Sequence, residues 1–146
     1  VPGVVALWIA LSEAHAARDP LYALVPGAEG EVRRLVDAQL RDPDTATFVA
    51  ERADSAGLAG LCIVRVDRAP PIHAETRRAE ITDLYVEDAR RRRGVGSALV
   101  ERAYAWARQR GAPRVEVRVA AHNEVGRAFW RAQGFGDFMD VLHRRL

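Results

Sequence analysis

Apolar residues recur at helical spacing over the first forty positions and alternate or run together after about residue 44. Val4, Leu7, Trp8 and Leu11 share one face of a predicted helix over residues 4–17, which Asp19-Pro20 ends. A loop over 19–28 carries Leu21, Tyr22 and Leu24. Val32, Leu35, Val36 and Leu40 then mark a second helix, stopped by Asp42-Pro43. Residues 45–51 and 58–67, rich in β-branched and apolar side chains, flank Ser55-Ala56-Gly57 and predict an antiparallel hairpin. A loop opening at Pro70-Pro71 leads to a third strand over 79–87. Gly96, Leu99, Val100, Ala103 and Ala107 lie along a helix that Gly111 closes. Val115, Val117 and Val119 alternate with Glu116 and Arg118 as a fourth strand. Asn123 caps a short helix to Gln133, Gly134 ends it, and 135–146 reads as a last strand.

The order is ααβββαβαβ. The strand, helix, strand unit over 79–119 needs a crossover, which makes its two strands parallel within an otherwise antiparallel arrangement. The expected fold class is therefore α/β (α+β): a mixed central sheet flanked by helices, in a single domain spanning 1–146, without linker or repeat.

Composition narrows this picture in a few places. The apolar fraction of 49% and charged fraction of 29% suit a folded chain, and no apolar run reaches membrane-spanning length. Val1 to Leu11 followed by Ala14-His15-Ala16 resembles a leader with a cleavage site, but no basic residue precedes it and its apolar positions have helical period. The lone cysteine, Cys62, excludes an internal disulfide and suits a reducing cytoplasm; its apolar surroundings predict a buried structural thiol. His15, His122 and His143 show no metal spacing, so no metal is expected. All 22 basic residues are arginine, always ionised and suited to bidentate phosphate contacts.

The most informative segment joins the third strand to its helix. Arg91, Arg92, Arg93, Gly94, Val95, Gly96 and Ser97 open a helix whose N-terminal amides lack partners and attract anions. Gly94 and Gly96 admit a phosphate close to the backbone. The segment lacks the Lys-Ser/Thr ending of a P-loop and the glycine spacing of a dinucleotide fingerprint. A basic run is also often a solvated face or a nucleic-acid contact, but the single cluster without interleaved aromatics argues against nucleic acid as partner.

Residues 80–135 resemble the GCN5-related N-acetyltransferase (GNAT) superfamily. Arg91, Gly94 and Gly96 match its Arg/Gln-x-x-Gly-x-Gly/Ala signature, and Asn123, Ala128, Phe129, Trp130, Gly134 and Phe135 match its downstream motif in order and spacing. The preceding elements fit as well, except that the family's first strand has no counterpart, as if the chain were trimmed at its N-terminus. The resemblance implies an acyltransferase that moves an acetyl group from acetyl-CoA to the primary amine of a small molecule or peptide by direct attack. It implies that amides of residues 92–97 hold the CoA pyrophosphate, that Leu84, Tyr85 and Val86 line the pantetheine arm, and that Asn123 bonds to it. Arg127 and Trp130 follow Asn123 at i+4 and i+7 and are expected on the same stripe, with Val125, Ala128, Phe129 and Ala132 facing the core. Family members often pair as homodimers; nothing in this sequence decides whether this chain does.

Attack by an amine needs a base, because a free amine is mostly protonated at neutral pH. Glu80 is the first candidate base and Asp83 the second. In a regular strand the two point to opposite faces, so a bulge is needed to bring both into one cleft. Trp130 stands where the family commonly has a tyrosine that protonates the leaving thiolate; an indole N–H donates but is no usable acid. Tyr85 or water then has to serve, or the chain is a catalytically weakened CoA-binding sensor or interaction module. Gly126, in the first turn of the last helix, is a second departure. Acceptor contacts are expected from 21–26, from the loop before the third strand and from the tail, with Trp8, Tyr22, His73 and Glu75 as contributors.

Overall fold

The structure, a computed structural model, describes all residues 1–146. Helix α1 (Pro2–Ala16) starts on a proline, whose missing N–H costs nothing in a first turn. It ends where Asp19 caps a short 3-10 turn at Pro20–Tyr22 by accepting from the Leu21 amide at 3.0 Å. Helix α2 (Glu29–Arg41) has acids in its first turn and Arg41 in its last, matching the helix dipole. Only Val32 and Val36 of α2 are buried, packed against Val4 and Val5 of α1. Leu35 and Leu40, expected on that face, are 55% and 47% exposed, because α2 touches α1 along a stripe one residue wide.

Strands β1 (Thr45–Glu51), β2 (Leu58–Arg68), β3 (Arg77–Val86) and β4 (Val115–Val117) form an open sheet in the order β1-β2-β3-β4. The first three are antiparallel and β4 is parallel to β3, as the crossover through helix α3 (Val95–Gln109) requires. One sheet face carries Cys62, Val64, Val66, Ala79 and Ile81 onto Leu99, Val100, Ala103 and Ala107 of α3. The other carries Leu61 and Ile63 onto Leu7 of α1. Gly111, at φ 76, takes the left-handed turn that ends α3. Cys62 is fully buried, and burial pushes its thiol up to about 12, as an inert core residue.

Two expected strand features are absent. Residues 135–146 form no strand; Phe138, Met139, Val141 and Leu142 are largely exposed there. Nor does β4 reach Val119: its pairing with β3 stops at Ile81↔Val117. The reason lies one residue further along β3, where Thr82 is bulged out of register and turns the strand away from β4.

Candidate functional site

The opening between β3 and β4 is where the predicted residues converge. On β2, Arg65, Ile63 and Leu61 share one sheet face. Their partners on β3 are Glu80, Asp83 and Tyr85, because the register skips Thr82. The bulge therefore places Glu80, Asp83 and Tyr85 together on the α1 side, while Leu84 and Val86 turn toward the α3 side and pack at the edge of its core. No residue from 82 to 86 pairs with β4, so this length of β3 presents an open backbone edge.

Glu80 and Asp83 have very different surroundings. Glu80 is 6% exposed, and one carboxylate oxygen accepts from Arg65 Nε at 3.2 Å and Nη2 at 2.7 Å. Its other oxygen lies 3.3 Å from Arg118 Nε. These are the arginines of β2 and of the residue after β4, not the sequence neighbours Arg77 and Arg78. The chain of charges continues through Asp67, 3.6 Å from Arg65 and 3.5 Å from Arg78, to Glu116, 2.7 Å from Arg78 and 3.4 Å from Arg114. Glu75 ends it, 2.9 Å from Arg114, so this residue and the neighbouring His73 lie in the loop before β3, at the end of the strand remote from Asp83. This ladder ties β2, β3 and β4 together just below the point where the strands part.

Asp83 has no arginine partner. It is half-buried, and burial holds its carboxyl above the ordinary value of 3.8 despite the Thr82 hydroxyl, which donates at 2.6 Å, and the Trp8 indole, which also favours the ionised form. His15, on the last turn of α1, is pushed below 6.5 by burial and then by the nearby Arg18, against a weaker pull from Asp83. The His15 ring lies 5.3 Å from the ring of Tyr22. Tyr85 is held above 10.0 chiefly by burial, so its phenol stays protonated at neutral pH.

The turn ahead of α3 is fastened from behind. Arg52 pairs with Glu87 and Arg90 with Asp54, both reaching across from the β1–β2 hairpin end. Arg91 donates from Nε to the Val86 carbonyl at 3.0 Å and pairs with Asp88 at 2.9 Å. Arg92, at φ 59, is the one non-glycine residue with left-handed backbone, and Gly94 follows at φ 79. The guanidinium groups of Arg92 and Arg93 are exposed and have no acidic partner. None of the six backbone amides over 92–97 donates to any acceptor in the chain; the first amide of this segment with a partner is that of Ala98, to the Gly94 carbonyl at 2.9 Å.

Helix α4 (Glu124–Ala132) closes the other side. Asn123 Oδ1 accepts from the Gly126 amide at 3.1 Å, which leaves its NH2 group free to donate. A Cβ at Gly126 would come within 2.5 Å of that nitrogen, so the glycine makes room for the cap. The buried face of α4 is not the expected one. Val125 is 71% exposed and Ala128 and Ala132 are exposed, whereas Trp130 is 9% exposed within the α3 core. Its indole packs edge-on against Phe129 at 5.0 Å and Phe135 at 5.1 Å. Phe129 in turn meets Gly96, where a Cβ would lie 3.4 Å from the ring. Arg127 is half-buried with no ion-pair partner.

Sequence reasoning passed over Gly60 and His15. A Cβ on Gly60 would sit 2.8 Å from the Tyr85 carbonyl oxygen, so only glycine lets β2 lie this close to the end of β3. Its signal was a glycine inside a strand pattern. His15 gave no signal, since its ring contact with Tyr22 depends on how the turn after α1 folds back. A polar hollow of 180 Å³ lined by Asp44, Val66, Arg68, Arg77, Gln109 and Arg110 lies at the far end of the sheet and includes none of these residues. No helix is long and apolar enough to cross a membrane.

The Acetyltransferase (GNAT) family model matches residues 8–135. No curated protein matches the sequence. Among solved structures, the tetramutant of the BH1408 protein from Bacillus halodurans superposes with a TM-score of 0.84 at 18% identity, over 99% of this chain and 92% of that one. AAC(6')-Iy in complex with the bisubstrate analogue CoA-S-monomethyl-acetylneamine superposes at 0.74 and 18% identity, over 97% and 90%. The aminoglycoside 6'-N-acetyltransferase AAC(6')-IG from Acinetobacter haemolyticus gives 0.71 and 20% identity, over 84% of each chain. At these identities the likeness is one of fold.

Proposed function

Because this chain belongs to the GNAT acetyltransferase family, we propose that it transfers an acetyl group from acetyl-CoA to a primary amine by direct attack, with Asp83 rather than Glu80 as base. The observation that carries the cofactor half is the row of six unpaired amides over 92–97, set at the positive end of a fifteen-residue helix beside two free arginines. A pyrophosphate fits that chemistry, and Gly94 has open space where a Cβ would project. From there the pantetheine arm has two sets of polar partners: the open edge of β3 at Leu84, Tyr85 and Val86, and the free NH2 of Asn123. Arg127 is an unpaired cation on the same helix and contributes charge toward the phosphates.

The acceptor amine arrives protonated and must lose a proton before attack. Asp83 suits that step, because burial without an arginine raises its proton affinity toward the working range. Both carboxylate oxygens of Glu80 are engaged by Arg65 and Arg118, which assigns it to anchoring β3 to β2 and β4 rather than to the amine. The neutral amine attacks the thioester carbonyl carbon, and amide N–H groups near Leu84 and Tyr85 stabilise the developing oxyanion. Collapse breaks the C–S bond. The Tyr85 phenol, protonated at neutral pH, serves as acid for the thiolate, while Trp130, packed in the core, positions α4 rather than supplying a proton.

Thiol release from acetyl-CoA in the presence of an amine panel, above the rate without acceptor, tests the reading. Calorimetric titration with acetyl-CoA tests its first half separately. Binding without release would reduce the function to a CoA-binding module. Absence of binding would remove the proposal.

A further inference from the structure

Trp8 and His15 of α1 and Tyr22 of the following turn lie on the α1 side of the sheet, the side to which Asp83 points. We infer that they form the acceptor site, and that it takes a small primary monoamine with an aromatic or branched apolar body rather than a polycation such as a polyamine or an aminoglycoside. The inference rests on the acetyl-transfer reading above and specifies its acceptor.

Three observations carry it. The first is the accounting of charge. A polycation needs several free carboxylates close together, yet the other acids that β2, β3 and β4 carry on this face are already matched. Glu80 is shared by Arg65 and Arg118, Asp67 by Arg65 and Arg78, and Glu116 by Arg78 and Arg114. Asp83 is left as the one carboxylate on β3 facing α1 without an arginine. Glu13 on the outer face of α1 is exposed, and Asp19 on the loop after α1 is engaged by the Leu21 amide at 3.0 Å, with Arg18 beside it in the chain. One charge suits one ammonium.

The second is the wall. Trp8 packs with Tyr85 on the cluster of Leu7, Leu61 and Ile63, the last paired with Asp83 across the strands, and Tyr22 stacks obliquely on His15 at 5.3 Å. Flat, stiff rings present apolar surface at little entropic cost and attract an ammonium by its charge. His15 stays neutral at neutral pH and so does not repel it. The third is the rim. The loop after α1 leaves Leu21, Tyr22, Leu24 and Val25 36% to 71% exposed, a run of apolar side chains with no counterpart in this chain to cover them. An acceptor with an apolar body buries part of that surface; a hydrated polycation does not.

The experiment compares kcat/KM of the intact protein for 2-phenylethylamine and isoamylamine with that for spermidine and kanamycin, at fixed saturating acetyl-CoA. The expected result is at least a ~10-fold preference for the apolar monoamines, the scale of burying one apolar side chain. Tyr22→Ala, on an exposed turn outside the core clusters, should raise KM for 2-phenylethylamine about 10-fold with Tm little changed. The same variant should leave the calorimetric affinity for acetyl-CoA unchanged. Equal or better use of spermidine or kanamycin overturns the inference while leaving acetyl transfer intact. So does acetyl-CoA binding with no turnover of either apolar amine, or a Tyr22→Ala variant with unaltered KM. If acetyl-CoA does not bind, the reading beneath it fails first and this one with it.

Discussion

At the start of α3, six consecutive amides point away from the chain with nothing in it to receive them. On β3, by contrast, Asp83 shares a face with Glu80 only because Thr82 has been pushed out of register against β2. The turn is made of backbone, and almost any side chain at 92, 93, 95 or 97 would leave its amides in place. The floor is made of side chains, and its layout depends on three strands and a helix agreeing. A binding site for a constant group, a pyrophosphate, can be built locally. A site that must hold one carboxylate free while neutralising its neighbours needs the whole sheet.

Asp83→Asn is the harshest test of the second region. It should lower kcat/KM by roughly 10²- to 10⁴-fold, the usual contribution of a positioned base. Its pH dependence should change as well. Burial holds Asp83 above 3.8, so the active, ionised form gives an acid limb in log kcat/KM above that value, and the variant should lose it. The same shift has a stability consequence of the opposite sign. A carboxyl raised in the native state favours folding while protonated, and that contribution is lost as pH rises from 3.8 through the native value. Asp83→Asn should therefore melt higher than the parent at neutral pH, and a lower Tm would show that the carboxylate is better paired than its surroundings suggest.

Gly94→Val tests the first region. At φ 79 a β-branched residue carries about 1–3 kcal/mol of strain. Relieving it should swing the amides out of line and weaken acetyl-CoA roughly 10- to 100-fold by calorimetry, with α3 helicity retained by circular dichroism. Unchanged affinity would place the phosphate elsewhere.

Glu80→Gln separates the two carboxylates. It removes the centre of an ion-pair ladder whose arginines are partly hydrated, so the expected loss is about 1–2 kcal/mol of unfolding free energy, below the range for a fully buried pair. Its kcat/KM should fall far less than that of Asp83→Asn. If the order of the two activities is reversed, Glu80 is the base. The smallest expected effect is at Tyr104, whose hydroxyl is buried without a partner. Tyr104→Phe should stabilise the fold by about 1 kcal/mol and leave activity alone, since it removes an unsatisfied polar group from the core away from both regions.

How much of this could be seen in the chain of letters follows from range. Sequence alone determined the order of the helices and of the first four strands, the turn at Arg91 to Ser97, the Asn123 cap and the family signature they carry. Each depends on residues within a few positions of one another, where period and capping chemistry act. Even the need for a bulge between Glu80 and Asp83 was legible, because strand alternation is a local rule. The tertiary structure alone decided which carboxylate stays free, since Arg65 and Arg118 reach Glu80 from other elements. It also decided that Trp130 lies in the core and Val125 in solvent, that Leu35 and Leu40 find no partner, and that residues 135–146 stay unpaired. Apolar period names the faces of an element, but only packing against a particular neighbour determines which face is covered, and only a second strand makes a strand of the first.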